Sequence, residues 1–215
     1  MDPFHERLAR VGLAASARYG FCLAGGYAVQ AHGFVERLSK DVDLFTSADA
    51  TAEFPVAVAD VVAAYRADRL DVSVEREGAT FARLTVTDPE TKAASIVELG
   101  VDWRAYPPVQ LAIGPVLHPD DAVANKICAL FGRAEVRDYV DVHGALTSDR
   151  YTGGELLRLA ADHDPGFDND MFAEALRAVR RLPASAFAPY QLTGQQVAAL
   201  QERLVRWADE IAGAR

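Results

Sequence analysis

The sequence predicts an α/β amino-terminal part followed by an α-helical carboxy-terminal part. Three observations carry this expectation. Helical periodicity opens the chain, the strand-like stretches DVSVE, TFARLTVT and SIVELGVDW follow in its first half, and beyond Arg150 apolar residues recur only at helical spacing. With 215 residues, 50% of them hydrophobic, the chain has enough apolar side chain to close a core.

Leu8, Val11 and Ala15 fall at helical spacing over residues 4–18, and FCLAG then reads as a short buried strand ended by Gly25-Gly26. A helix from Tyr27 to Phe34, closed by Gly33, leads into RLSKDVDLFT, a strand in which Val42 and Leu44 alternate with Asp41 and Asp43. Val58, Val61, Val62 and Tyr65 mark one face of a helix over 52–69, and Asp88-Pro89-Glu90 turns between two of the later strands. His118-Pro119-Asp120-Asp121 carries an N-cap signature, with Val123, Ile127, Leu130 and Phe131 on the helix behind it. Helices are expected over 154–162, 169–182 and 194–212. The expected division is a core over 1–150 and a helical region over 151–215.

Composition narrows the functional classes. No apolar run approaches the roughly 20 residues of a membrane span, and MDPFHERLAR carries charges where a signal peptide needs an apolar stretch, so a cytoplasmic protein without a membrane partner is expected. Cys22 and Cys128 lie in apolar surroundings as buried thiols. The histidines at 5, 32, 118, 143 and 163 show no paired spacing, which excludes a zinc site, and His32 and His118 read as structural. A formal charge of -9 opposes overall binding of a polyanion, and no DNA partner is expected. An RNA partner needs a local basic patch, for which Arg7, Arg10 and Arg18 or Arg177, Arg180 and Arg181 are the candidates.

The chemistry centres on Asp-Val-Asp. Nucleotidyl transfer needs cations that neutralise a triphosphate and lower the pKa of an attacking hydroxyl, and two metals about 3.5–4 Å apart do both. Mg²⁺ takes carboxylate oxygens. Residues two apart on a strand point the same way at roughly 6.6 Å, so Asp41 and Asp43 can flank such a pair from one face. Gly25 and Gly26, between a strand and a helix, leave backbone N–H groups bare for phosphate oxygens.

AGGYAVQAHGFVERLSKDVDLF resembles the G-G/S, helix, D-x-D signature of the polymerase-β-like nucleotidyltransferase superfamily, whose core is a mixed sheet. The resemblance implies a third carboxylate on a neighbouring strand. Glu98 is the choice over Asp102, which has the same parity. NKICALFGRAEVRDYVDV resembles the K-x(6)-R-x(4)-D-x-x-D segment of the AbiEii/MenT-type toxins in that superfamily. By that likeness Lys126 and Arg133 share a helix face and reach triphosphate oxygens, while Asp138 braces the site. Asp141 orients the nucleotide-binding lysine or accepts the acceptor's proton. Ser39, with the parity of Asp41 and Asp43, points its hydroxyl at the same site, and relatives allow inhibitory phosphorylation there by the antitoxin.

The resemblance therefore implies the toxin of a toxin–antitoxin pair. Its cofactor is Mg²⁺, with two ions during turnover, and it transfers nucleotides from an NTP to the 3′ end of tRNA, blocking aminoacylation. A small-molecule nucleotidyltransferase acting on cationic aminoglycosides, and a catalytically inactive module that binds NTP or antitoxin, are the alternatives.

Overall fold

The computed structural model describes residues 1–213. In chain order the elements are α1 (Pro3–Ala15), β1 (Cys22–Leu23), α2 (Gly25–Ala31), β2 (Asp41–Thr46), α3 (Phe54–Ala67), β3 (Asp71–Glu77), β4 (Phe81–Thr87), β5 (Ala94–Val101), β6 (Val109–Leu111) and β7 (Gly114–Val116). They continue as α4 (Pro119–Arg133), α5 (Val136–Leu146), α6 (Gly153–His163), α7 (Asn169–Arg177) and α8 (Gly194–Gly213). The chain forms two compact units. Met1–His32 and Leu38–Pro119 make the first; Gly33–Arg37 and the chain from Asp120 onward make the second.

The first unit is a seven-stranded sheet in the order β3-β4-β5-β2-β1-β7-β6. β2 runs parallel to β5 and antiparallel to β1, and β4 runs antiparallel to both β3 and β5, so the sheet is mixed. Alternation sets its two faces. Val42 and Leu44 of β2, Val97 and Leu99 of β5 and Leu84 of β4 are fully buried, and their register pairings put them on one face. That face meets α1 and α3, for a Cβ added to Gly12 of α1 would lie 2.5 Å from Leu44 Cδ1 and 2.7 Å from the Tyr65 hydroxyl. Glycine permits this approach. The Tyr65 hydroxyl donates to Leu8 O at 2.9 Å, tying α3 to α1 inside the layer. Asp41, Asp43, Glu98 and Arg83 occupy the other face.

Asp2 starts α1 by accepting from the N–H groups of Phe4 and His5, with Pro3 in the first turn where its missing N–H costs nothing. β2 begins at Asp41, later than the expected strand over RLSKDVDLFT, of which Arg37 belongs to the other unit. β6 and β7 are strands that periodicity did not disclose; three residues each, with Pro115 inside one, are too few to alternate visibly.

The second unit is helical. Trp207 of α8 and Phe172 of α7 meet edge to face at 5.4 Å, and Phe167 continues the aromatic row to Phe131 of α4. The boundary expected after residue 150 and the one found after Pro119 differ. The reason is tertiary: Tyr139 of α5 donates to Ala175 O of α7 at 2.8 Å, and Cys128 of α4 lies 3.7 Å from Ala160 O of α6, so α4 and α5 join the later helices. Ala134, at φ 50°, separates α4 from α5.

Residues 33–37 belong to this unit. Phe34 O lies where a Cβ on Gly144 would be 2.4 Å away, Arg150 covers the Phe34 ring at 5.0 Å, and Arg37 reaches Asp141. Among the described residues no helix is long and apolar enough to cross a membrane.

Candidate active site

Asp43 is fixed by backbone and by the lack of a side chain. The Ala24 N–H donates to Asp43 O at 2.9 Å, binding the end of β1 to β2. The next residue, Gly25, has φ +58°, and a Cβ there would lie 1.7 Å from Asp43 Oδ2. Only glycine satisfies both the left-handed backbone and the contact. The first turn of α2, read from sequence as a phosphate cradle, therefore also seats a carboxylate. Gly26 is buried in the same turn.

Asp41 lies two residues earlier on the same face and accepts a hydrogen bond from the Ser39 hydroxyl at 2.8 Å. Ser39 is buried, 8% exposed, and precedes the strand. Its backbone is held by a bracket that sequence reasoning missed. Tyr27 of α2 donates to Ser39 O at 3.4 Å, His5 Nδ1 lies 2.6 Å from the Tyr27 hydroxyl, and His5 Nε2 lies 2.7 Å from Ser95 Oγ. Burial lowers the His5 pKa, against the opposing charges of Asp2 and Asp41, so the ring is held neutral between two hydroxyls.

Glu98 is the register partner of Asp43 on the parallel neighbour β5. It shares the acidic face. Asp102 lies one residue beyond the strand, where its Oδ1 accepts from the Trp103 N–H at 2.9 Å. Glu98 is itself engaged: Arg83, its register partner on β4, directs Nε and Nη2 at Oε1 from 2.9 and 2.5 Å. Among the described residues no three His, Cys, Asp or Glu side chains stand together as a ready metal cage. The donor set still fits a hard divalent cation, because Asp41 and Asp43 present paired carboxylates on one strand face and Asp43 is pinned against a bare Cα.

The remaining sequence candidates lie in the second unit. Asp141 is fully buried; Arg37 donates from Nε to Oδ1 at 2.6 Å and from Nη2 to Oδ2 at 2.5 Å, and Lys126 Nζ lies 3.2 Å from Oδ2. Both oxygens are committed to cations. Burial opposes the Arg37 charge, but the hydrogen bonds and charge of Asp141 outweigh it and hold the guanidinium protonated. The 3.2 Å contact to Lys126 Nζ is compatible with the expected task of orienting that lysine. Arg133 clasps Asp138 with Nε at 2.9 Å and Nη2 at 3.0 Å, while Asp138 Oδ2 also accepts from the Glu135 N–H at the start of α5. Arg133 thus braces a helix start as well as sharing α4 with Lys126.

The first candidate basic patch is neutralised locally, and in the second only Arg177 is paired, Arg180 and Arg181 being exposed. Arg7 pairs with Asp68 and Asp88, Arg10 with Glu6, Arg18 with Asp60, and Arg177 with Glu174 and Asp209. His32 Nε2 lies 2.8 Å from Leu117 O, and the His118 ring packs on Tyr106 at 4.5 Å, both structural placements. A cavity of about 610 Å³ lined by Arg10, Leu13, Phe21, Arg104, Ile113 and neighbours contains none of the candidate metal- or nucleotide-binding residues.

A mixed sheet that presents D-x-D carboxylates beside a strand–glycine–helix turn defines a nucleotidyltransferase. The model of the AbiEii nucleotidyl transferase toxin family, of type IV toxin–antitoxin systems, matches residues 8–210, and the chain belongs to that family. Its toxin–antitoxin type implies an antitoxin partner. No curated protein matches the chain. Among solved structures it is similar to a Helicobacter pylori protein assigned as a nucleotidyltransferase, at 18% identity and TM-score 0.61, covering 97% of this chain and 93% of that one. It is similar to MenT4, a nucleotidyltransferase toxin of Mycobacterium tuberculosis, at 17% identity and TM-score 0.59, with 99% and 84% covered. The antibiotic-resistance factor ANT(2'')-Ia is similar over 75% of this chain and 92% of its own, at 16% identity and TM-score 0.52. These likenesses are of fold.

Proposed function

We propose that the chain is a cytoplasmic toxin that transfers a nucleotidyl group from an NTP to the 3′ end of tRNA, with Mg²⁺ bound by Asp41 and Asp43. The observation that carries the reading is the seat of Asp43 on Gly25, where the carboxylate occupies space that any side chain at that position would fill. Metal bound there would neutralise triphosphate charge and lower the pKa of the attacking hydroxyl. The hydroxyl oxygen bonds to the α-phosphorus as the bond to pyrophosphate breaks. Ser39 orients Asp41 for this chemistry, and Glu98 is the third carboxylate. Lys126, aimed by Asp141, is the phosphate-binding ammonium, with Arg133 as a second phosphate contact. Gly25 and Gly26 leave room for phosphate at the start of α2. The antitoxin silences the enzyme, through Ser39 if it phosphorylates it.

Incubation of the protein with total tRNA, Mg²⁺ and each labelled NTP in turn tests this. Labelled tRNA is expected from the native protein, and none after EDTA treatment or with Asp43→Asn. Undiminished labelling by folded Asp43→Asn would remove Asp43 from the site. A second reading, a cationic small-molecule acceptor, is favoured by the charge of -9 and by the paired arginines. Labelling of an aminoglycoside panel with tRNA left untouched would establish it instead.

A further inference from the structure

One transverse row of side chains crosses β2, β5 and β4 as Asp43, Glu98 and Arg83, each the register partner of the next. The ion pair at its end is lopsided. A guanidinium fork ordinarily places one N–H on each carboxylate oxygen, whereas Arg83 aims both at Oε1, and Oε2 receives no hydrogen bond among the described residues. The pair is also open to water, with the Arg83 side chain 46% and the Glu98 side chain 18% exposed. The contrast with Arg37 and Asp141, side chains 4% and 0% exposed and joined through both oxygens, is direct. Hydrogen bonding and charge from Glu98 hold Arg83 protonated, with Glu75 and Asp41 adding to the negative field around it.

We infer that Arg83 is the resident counter-cation of Glu98 and that it exchanges with a divalent cation there, so that Glu98 joins Asp41 and Asp43 only after leaving Arg83. This rests on the metal-site reading of Asp41 and Asp43. Carboxylates gathered on adjoining strands repel one another, and without metal some cation must offset them. An exposed, screened ion pair opens at little cost, as this exchange requires. Arg83 is then a positioning residue that sets the metal concentration at which the third carboxylate engages.

The test is Mn²⁺ binding to the full chain without NTP, by calorimetry, for native protein, Arg83→Gln, Glu98→Gln and the double variant. Arg83→Gln is expected to tighten Mn²⁺ binding by about threefold or more, the order expected on releasing an exposed ion pair. The double variant should bind no more tightly than Glu98→Gln, and Arg83→Lys should lie between native and Arg83→Gln. A brace for the sheet would instead lower Tm in Arg83→Gln with Mn²⁺ affinity unchanged, which overturns the inference. Equal tightening with and without Glu98 would reduce Arg83 to a long-range charge and overturns it too. Asp43→Asn serves as the control: unchanged Mn²⁺ binding there removes the underlying metal site, a failure distinguishable from that of Arg83 alone.

Discussion

Replacing Gly25 by alanine isolates the contact on which the site depends. The new Cβ would stand 1.7 Å from Asp43 Oδ2 and 2.4 Å from its Cγ, closer than real Cβ atoms approach, so the carboxylate must move by more than an ångström. A misplacement of about 1 Å at a reacting centre costs on the order of 100-fold in rate, equivalent to about 2.7 kcal/mol of barrier. Alanine at φ +58° adds a backbone cost of roughly 1–2 kcal/mol, a fall in Tm of about 2–8 °C for a chain of this size. Gly33→Ala supplies the control, since Gly33 has φ +78° with nothing within 4 Å of an added Cβ: similar backbone strain, no displaced carboxylate. Initial rates of transfer from labelled NTP, with thermal melts and Mn²⁺ affinity on the same samples, should show both variants folded and only Gly25→Ala inactive. Gly25→Ala within threefold of native activity, or an equal loss in Gly33→Ala, would refute the reasoning.

Three further outcomes are expected. Phosphorylation of Ser39 puts about -1.5 to -2 charges where its hydroxyl now lies 2.8 Å from Asp41, so phospho-Ser39 and Ser39→Glu proteins should be folded yet inactive, while Ser39→Ala keeps part of the activity; full transfer by a sample that mass spectrometry shows to be stoichiometrically phosphorylated contradicts this. Asp141→Asn leaves Arg37 and Lys126 buried without their shared anion, which should cost about 3–5 kcal/mol and lower Tm by roughly 10 °C or more; an unchanged melt would show that the carboxylate carries no such load. Burial lowers the pKa values of both His5 and His143, so the unfolded chain takes up these protons first. Their contribution is present above the unfolded value of 6.5, declines as pH falls through it, and levels off below the folded values. Melts from pH 8 to 5 should therefore be less steep in a His5→Gln/His143→Gln protein, and an identical slope would exclude both groups.

The acidic pair was legible because its signal is local. Period-two alternation in DVDLF assigns faces without any partner strand, whereas Glu98 came from the family resemblance. Parity alone did not separate Glu98 from Asp102, which lies one residue past the end of β5 at Val101. Arg83 alternates correctly within TFARLTVT, but nothing local tells which residue of β5 it opposes; that register belongs to the sheet. Arg37 was less visible still, for its carboxylate partner lies 104 residues along the chain. The later domain boundary arose because apolar periodicity marks that a helix face is buried without naming what covers it, and Pro107, Pro108, Pro115 and Pro119 lie before, within and after the short strands β6 and β7 instead of forming a linker.

The strap of residues 33–37 decides what kind of object this protein is for anyone who would divide it. Because Arg37 closes on Asp141 and Phe34 seats against Gly144, the helical unit is not encoded by one continuous stretch. A fragment starting at Asp120 would carry Asp141 and Lys126 with the guanidinium missing, and a fragment ending at Pro119 would carry Arg37 with no carboxylate to receive it. Neither half can be moved between proteins as a cassette, and a split reporter cut after Pro119 must recover, on reassociation, a five-residue insertion threaded from one piece into the other.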